Sequence, residues 1–431
     1  MLEYKYEVRD PIYGFIPFTL LEHKVIAEPS FQRLRRIGQL ALTHFVYPGA
    51  THSRFSHSLG VMHMASLMFE SIVKSSGDIL KEEFGFDGDS LSHMHQTVRL
   101  AALLHDIGHG PFSHASEGVM PFDESTKRRY NHEDYTVAII RSKIKPLLSD
   151  SPQRIDVNSV TDLIDRQGLS LREWGLFFKS IVSSQLDADR ADYLLRDSYH
   201  CGVKYGVYDH ARLVNSLAVG HDQDNFIRVG IKEESWKIAE SLVLARYWIH
   251  SYVYFHKTRR ILDYHLEEAI KYIYKGEELP KPDELDDFLS LDDGSIWEKM
   301  KRHKENPHCD AILNRNHYRM VYSTNQSQLE EDNIKFEKVK QVLKENDLVM
   351  YVDENPSTYY KSDTKDRSFI KRDKLFDPKE IFIIREKNQF IIPLAERSTF
   401  LAKLSDEIKV KNIYVKPDQK EFAKKLIGGI G

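Results

Sequence analysis

Apolar residues recur every three or four positions from about residue 21 to 275, which predicts a chain built mainly of helices. Between Ser53 and Lys74 the residues His57, Val61, Ala65, Met68 and Ile72 share one face, so this stretch reads as an amphipathic helix with a histidine near its start. A second stripe sets Val98, Ala101, Ala102 and His105 at i, i+3, i+4 and i+7. The same period predicts helices over 94–108, 132–147, 172–198 and 234–274, and Gly108, Gly110 and Pro111 end the first of these. Short β-type runs punctuated by Pro11, Gly14 and Pro17 predict a small hairpin within residues 4–20. Near the other end, EIFIIREKNQFIIPL (380–394) holds two β-rich runs around a polar turn, and KNIYV (411–415) adds a third before a short helix. Between these regions GEELPKPDELDD (276–287) carries two prolines and six carboxylates, the composition of a solvated hinge. The expected architecture is therefore a helical domain over 1–275 and an α+β region over 276–431.

A chain of 431 residues is long enough for one large core and a smaller module. Lys and Arg total 61 against 65 Asp and Glu, and a formal charge of -4 gives no global attraction to nucleic acid or an anionic membrane. Any site for a polyanion must be local. The basic runs at 127–129 and 361–374 read as solvated loops. Cys201 and Cys309 are too few for a disulfide framework, no apolar run reaches membrane-spanning length, and the start MLEYKYEVRD lacks signal-peptide character. A cytoplasmic protein without membrane partners is expected.

The chemistry concentrates in LLHDIGHGPFSH (103–114), where an adjacent His105 and Asp106 extend an apolar helix face. Burying an imidazole beside a carboxylate is costly without a partner, and a divalent cation is the usual one. His57 lies in HSRFSH close to Arg54, while Asp189, Tyr193 and Asp197 in DADRADYLLRD repeat at i, i+4 and i+8. Arg246, His250 and Tyr254 repeat in the same way, with Lys257 close to that face. A helix aiming those side chains one way suits a phosphate chain better than a core.

Taken in order, FQRLRRIGQL (31–40), YPGATHSRFSHSLGV (47–61), HDIGHGPFSH (105–114), NHE (131–133), DADRADYLLRD (187–197) and the 246–257 helix resemble the HD-domain deoxynucleoside triphosphate triphosphohydrolases. The resemblance implies a mainly α fold with an HD-domain helical core, and metal ligands at His57, His105, Asp106 and Asp189. Mn, Mg, Fe, Ni, Co and Zn all suit that donor set. It further implies that Arg54, His109, His132, Arg246 and Lys257 hold the triphosphate, with Arg190 where a family member has lysine and with His250 beside them. His114, oriented by Glu117, would protonate the leaving 5′ oxygen as water attacks the α-phosphorus, releasing a deoxynucleoside and inorganic triphosphate. Gln39, Leu40 and Asp197 would hold the sugar, its 3′ hydroxyl above all, and Tyr193 and Tyr254 would close the space at C2′. Gln32 and Arg35 match the family's activator nucleotide site, whereas Ala27 replaces its guanine-reading acid and Tyr6 its lysine; Glu28 and Lys5 stand one position away. A homo-oligomer, tetramer or dimer, is implied, with residues 276–431 serving oligomerisation or regulation. Two alternatives stand beside this reading: hydrolysis of another nucleotide of the GTP or GDP type, and a non-catalytic module binding nucleotides or single-stranded nucleic acid.

Overall fold

The computed structural model describes residues 2–430 apart from 166–172, 224, 276–277, 326–329, 355, 358–379, 388 and 405–407, so the basic run at 361–374 lies outside the described residues. At the start β1 (Tyr6–Asp10) pairs antiparallel with β2 (Gly14–Phe18), as the punctuation requires. Gly14 closes the turn at φ 79°, a conformation that disfavours any residue with a Cβ.

The long helix α1 (Arg54–Phe84) buries the whole His57, Val61, Ala65, Met68, Ile72 stripe. Against it packs α2 (Gly88–Leu104), started by an Asp87–Ser90 capping box and buried continuously from Met94 to Leu104. His105 and Asp106 follow at once, where the helix gives way to turns. A capping box at Asn131 starts α3 (His132–Ile139), and the helix continues through a π turn at Ile140–Ile144.

Two helices expected to be continuous are broken. After α4 (Val157–Ile164), the 172–198 stretch divides into α5 (Glu173–Val182) and α6 (Ala188–Cys201). Asp187 causes the break, because its carboxylate accepts the Ser184 and Arg190 N–H groups, both at 2.8 Å, and so caps a new helix. The hairpin β3 (Leu217–His221) and β4 (Ile227–Lys232) comes next. The 234–274 stretch then divides into α7 (Trp236–Ile249), a π turn at His250–Tyr254, and α8 (Lys257–Ile273) capped by His256.

The main core does not stop at the acidic run. Leu279, Phe288, Ile296, Met300 and Ile312 all belong to it, Ile296 and Met300 lying on α9 (Asp293–Arg302). Phe288 stacks on Tyr135 with centroids 4.0 Å apart, and the Tyr135 hydroxyl donates to the Pro280 carbonyl at 2.7 Å. Residues 278–287 are therefore docked rather than a free hinge, because Leu279 and the neighbouring Phe288 anchor them.

Farther on, β5 (Arg319–Ser323), α10 (Glu330–Glu345) and β6 (Met350–Asp353) precede the hairpin β7 (Phe382–Ile384) and β8 (Ile391–Pro393), then β9 (Asn412–Val415) and α11 (Lys420–Gly428). The β-rich segments do not share a sheet. β7 runs parallel to β4, giving the order β8-β7-β4-β3, whereas β9 sits between β5 and β6 over a small core of Phe336, Val339, Leu343, Ile413 and Val415. That module rests on α8 through Arg260, which grips Asp353 at 2.7 and 3.0 Å.

Candidate metal centre and phosphate cavity

Helices α1, α2 and α6 deliver His57, His105 with Asp106, and Asp189 to one point. His57 Nε2 lies 3.0 Å from Asp189 Oδ1 and 3.6 Å from Asp106 Oδ2, while His105 Nε2 lies 3.2 Å from Asp106 Oδ1 and 3.7 Å from Asp189 Oδ1. The remaining ring nitrogens are committed: His57 Nδ1 to Asp192 Oδ2 at 2.8 Å, and His105 Nδ1 to the Ala102 carbonyl at 2.8 Å. Such outer bonds fix the ring orientation and leave Nε2 for a metal. Asp192 is held by Arg196 at 2.8 and 2.9 Å, and Arg196 by Asp10 of β1 at 2.7 Å, so the N-terminal hairpin supports the centre from behind. Gly60 permits this, since a Cβ there would fall 2.0 Å from Asp192 Oδ1.

The donors fit a divalent cation. His105 Nε2 is buried without a hydrogen-bond partner, an orphan that a cation would satisfy. Burial works to lower the pKa of both imidazoles, yet the neighbouring carboxylates overcome it, raising His105 and bringing His57 to about 10. Burial would likewise raise Asp106, but Arg54 and the surrounding imidazoles hold it well below the usual carboxylate range. The pocket favours positive charge.

Beside the tetrad lies a second imidazole group. His109 and His132 stack with centroids 4.0 Å apart, and His114 meets His109 edge-on at 4.8 Å. Glu117 Oε1 bridges His114 Nδ1 at 3.0 Å and His132 Nδ1 at 2.8 Å. Burial, Arg54 and His132 push His109 well below the ordinary histidine value; Glu117 stays ionised because its two imidazole contacts outweigh burial. Gly108 lets α3 close on the group, since a Cβ there would lie 2.2 Å from the His132 carbonyl oxygen.

Both groups border a cavity of about 740 Å³. Of the residues singled out from sequence, Gln39, Leu40, Arg54, His105, Asp106, His109, His114, His132, Asp189, Arg190, Tyr193, Asp197, Arg246, His250 and Tyr254 line it. His57 and Glu117 stand just behind the wall. Lys257 does not line the cavity: the break at Phe255 and His256 puts it at the start of a new helix, and Arg259 lines the wall from the following turn. Gln32 and Arg35 also lie elsewhere, hydrogen-bonded to each other at 2.8 Å, with Arg35 over the Phe55 ring and lining a separate cavity of about 390 Å³.

Several partners had no local signal. Arg190 is held by the Asp187 carboxylate and the Ser184 carbonyl, and Arg246 donates to Gln185 at 2.8 Å, so the α5–α6 loop aims two cavity arginines. Asp197 is held by His52 Nε2 at 2.8 Å and by the Tyr254 hydroxyl. The proximity of Asp187 and Asp192 to Asp189 in DADRAD was the one available hint.

Donors in the order H, HD, D on three packed helices define the HD class. The HD domain pattern matches residues 54–197 and the HD associated region matches 208–351. The chain thus carries an HD domain followed by an HD associated region. It is 33% identical over 72% of its length to an uncharacterised protein of Methanocaldococcus jannaschii, covering 58% of that protein. It is 31% identical over 73% of its length to the deoxynucleoside triphosphate triphosphohydrolase SAMHD1 homolog of Dictyostelium discoideum, covering 59% of it. The chain thus spans less than two thirds of these relatives. A crystal structure of a hypothetical protein from Aquifex aeolicus is similar over 98% of this chain and 99% of that one, with a TM-score of 0.78 and 29% identity. Among the described residues no helix is long and apolar enough to cross a membrane.

Proposed function

We propose that this protein hydrolyses dNTPs to a deoxynucleoside and inorganic triphosphate by water attack at the α-phosphorus. The observation that carries this reading is the single cavity shared by a cation-favouring HD tetrad, a separate imidazole group and the guanidinium-bearing Arg54, Arg190, Arg246 and Arg259. His57, His105, Asp106 and Asp189 would hold the metal. A bound divalent cation lowers the pKa of water and screens phosphate charge.

The chain's own groups do the rest. Arg54 pairs with Asp106 and donates to Ser113 Oγ at 2.7 Å, which places a fixed positive charge between the tetrad and the imidazoles. Arg190, Arg246 and Arg259 counter the β and γ charges. His114 is 58% exposed at the side chain and holds Nδ1 against Glu117, leaving Nε2 to deliver a proton to the departing 5′ oxygen. Glu117 beside Nδ1 favours the imidazolium form, the one whose Nε2 carries the proton to be delivered. His109, held well below the ordinary histidine value, and His132 would contact phosphate oxygens through their ring nitrogens. Asp197 retains lone pairs for a 3′ hydroxyl, and the Tyr193 and Tyr254 rings, 6.3 Å apart, narrow the space at C2′.

The test is to incubate the purified protein with each dNTP, ATP and GTP, adding Mn, Mg, Fe or Co. Inorganic triphosphate from deoxy substrates in preference to ribo forms is expected. Release of pyrophosphate or phosphate alone removes the reading, and equal use of GTP moves it to a ribonucleotide substrate. A homo-oligomer is part of the proposal, supported by an exposed aromatic patch in which Tyr252 stacks on Tyr205 at 4.8 Å and on Trp248 at 5.8 Å. Light scattering that returns the monomer mass at micromolar concentration contradicts that part.

A further inference from the structure

The loop carrying His109 and His114 contains two consecutive residues in the left-handed region, Phe112 at φ 58° and Ser113 at φ 57°. Side chains with a Cβ adopt that region only under constraint. The constraint comes from α9, nearly two hundred residues away in sequence: Asp293 Oδ1 accepts the Phe112 N–H at 2.6 Å and Asp293 Oδ2 accepts the Gly38 N–H at 2.8 Å. One carboxylate therefore ties the His114 loop to the segment that presents Gln39 and Leu40. The circuit continues, since Ser113 Oγ donates to the Gly38 carbonyl at 2.8 Å and accepts from Arg54 at 2.7 Å. From the opposite side Arg33, 1% exposed, donates to the Leu291 carbonyl at 2.7 Å and to the His109 carbonyl at 2.8 Å.

We infer that Asp293 is a positioning residue for hydrolysis, holding the loop so that His114 and His109 face the cavity; this rests on the function proposed above. The neighbouring aspartate performs the ordinary local duty, which leaves Asp293 free for this one. Asp292 is the N-cap of α9, accepting the Ser295 N–H at 2.8 Å, whereas both Asp293 oxygens reach across to the cavity wall. Placing a carboxylate there is unfavourable by itself: burial raises it to about 6 against the pull of the two N–H donors and Arg33. A carboxylate kept at such a place for two backbone bonds is there for what those bonds hold.

The test uses full-length Asp293→Asn, Gly38→Ala and, for comparison, Asp292→Asn, with kcat, KM, bound metal and hydrogen exchange measured on each. The amide of Asp293→Asn can accept only on one side, so a loss of roughly ten- to hundredfold in kcat is expected, with KM within about threefold and metal content unchanged. Gly38→Ala places a Cβ 3.2 Å from Asp293 Oδ2 and should lower kcat in the same direction by less, which keeps the inference testable where Asp293→Asn fails to fold. Asp292→Asn should lower the melting temperature and spare kcat. Faster exchange at the amides of Gly38 and Phe112 in Asp293→Asn is expected whether or not dNTPs are the substrate, so an inactive wild type sinks the proposed function and leaves the clamp measurable. Unchanged exchange at both amides, or a kcat within twofold of wild type, overturns it.

Discussion

Two groups of histidines face one cavity and are built in opposite ways. His57 stands on a long packed helix and His105 caps the end of another, each with one nitrogen committed to a partner and the other turned toward carboxylates, and both are pushed toward the charged form. His109 and His114 sit on a strained loop and His132 opens a helix; burial, Arg54 and His132 push His109 well down, while Glu117 sets a negative charge between His114 and His132. The difference shows that surroundings, not residue type, decide which imidazoles are driven toward positive charge and which away from it.

Substitutions can break that division cleanly. The largest effect is expected for Asp106→Ala, which removes a tetrad donor and the partner of Arg54: metal should be lost and turnover should vanish. The melting temperature should drop as well, since a ligand at a hundred times its Kd contributes about 2.7 kcal/mol. Elemental analysis and calorimetry check this, and retained metal contradicts it. His114→Ala should leave metal content intact while lowering kcat by roughly a hundred- to ten-thousandfold; loss of metal in that variant would merge the two groups into one. Asp192→Asn weakens the outer bond to His57 Nδ1 and the two-bond pairing with buried Arg196, so metal affinity, measured by competition with a chelator, should fall by roughly ten- to a hundredfold and the melting temperature should drop as well.

The smallest effect concerns histidines away from the cavity. Burial and Arg99 lower His63 to about 4 and His95 to about 3. Because each folded-state value is lower than the unfolded one, the unfolded chain takes up protons first, and stability falls as pH drops from about 6.5 toward 4. Urea midpoints across that window should decline more steeply for wild type than for His95→Gln; parallel slopes contradict the assignment.

The helical core and the tetrad were legible because each rests on local signals. The buried face of α1 follows from period alone, and the four donors carry their residue types in short motifs. What escaped was either a capping choice or a distant partner. Asp187 and His256 each start a new helix inside a stretch whose apolar period runs on, which is why Arg259 rather than Lys257 reaches the cavity. His57 and Asp192 are 135 residues apart, and Phe112 and Asp293 are 181 apart, so no spacing rule relates them. In the described part of the acidic run, 278–287, the carboxylates are exposed as the composition requires, while Leu279 and the adjacent Phe288 dock the segment on the core.

The most direct measurement is hydrolysis of a dNTP in 18O-labelled water, with every product weighed by mass spectrometry. Attack at the α-phosphorus by water from the tetrad side predicts one label in inorganic triphosphate and none in the deoxynucleoside. Label in the deoxynucleoside, or in phosphate or pyrophosphate released without triphosphate, contradicts the account.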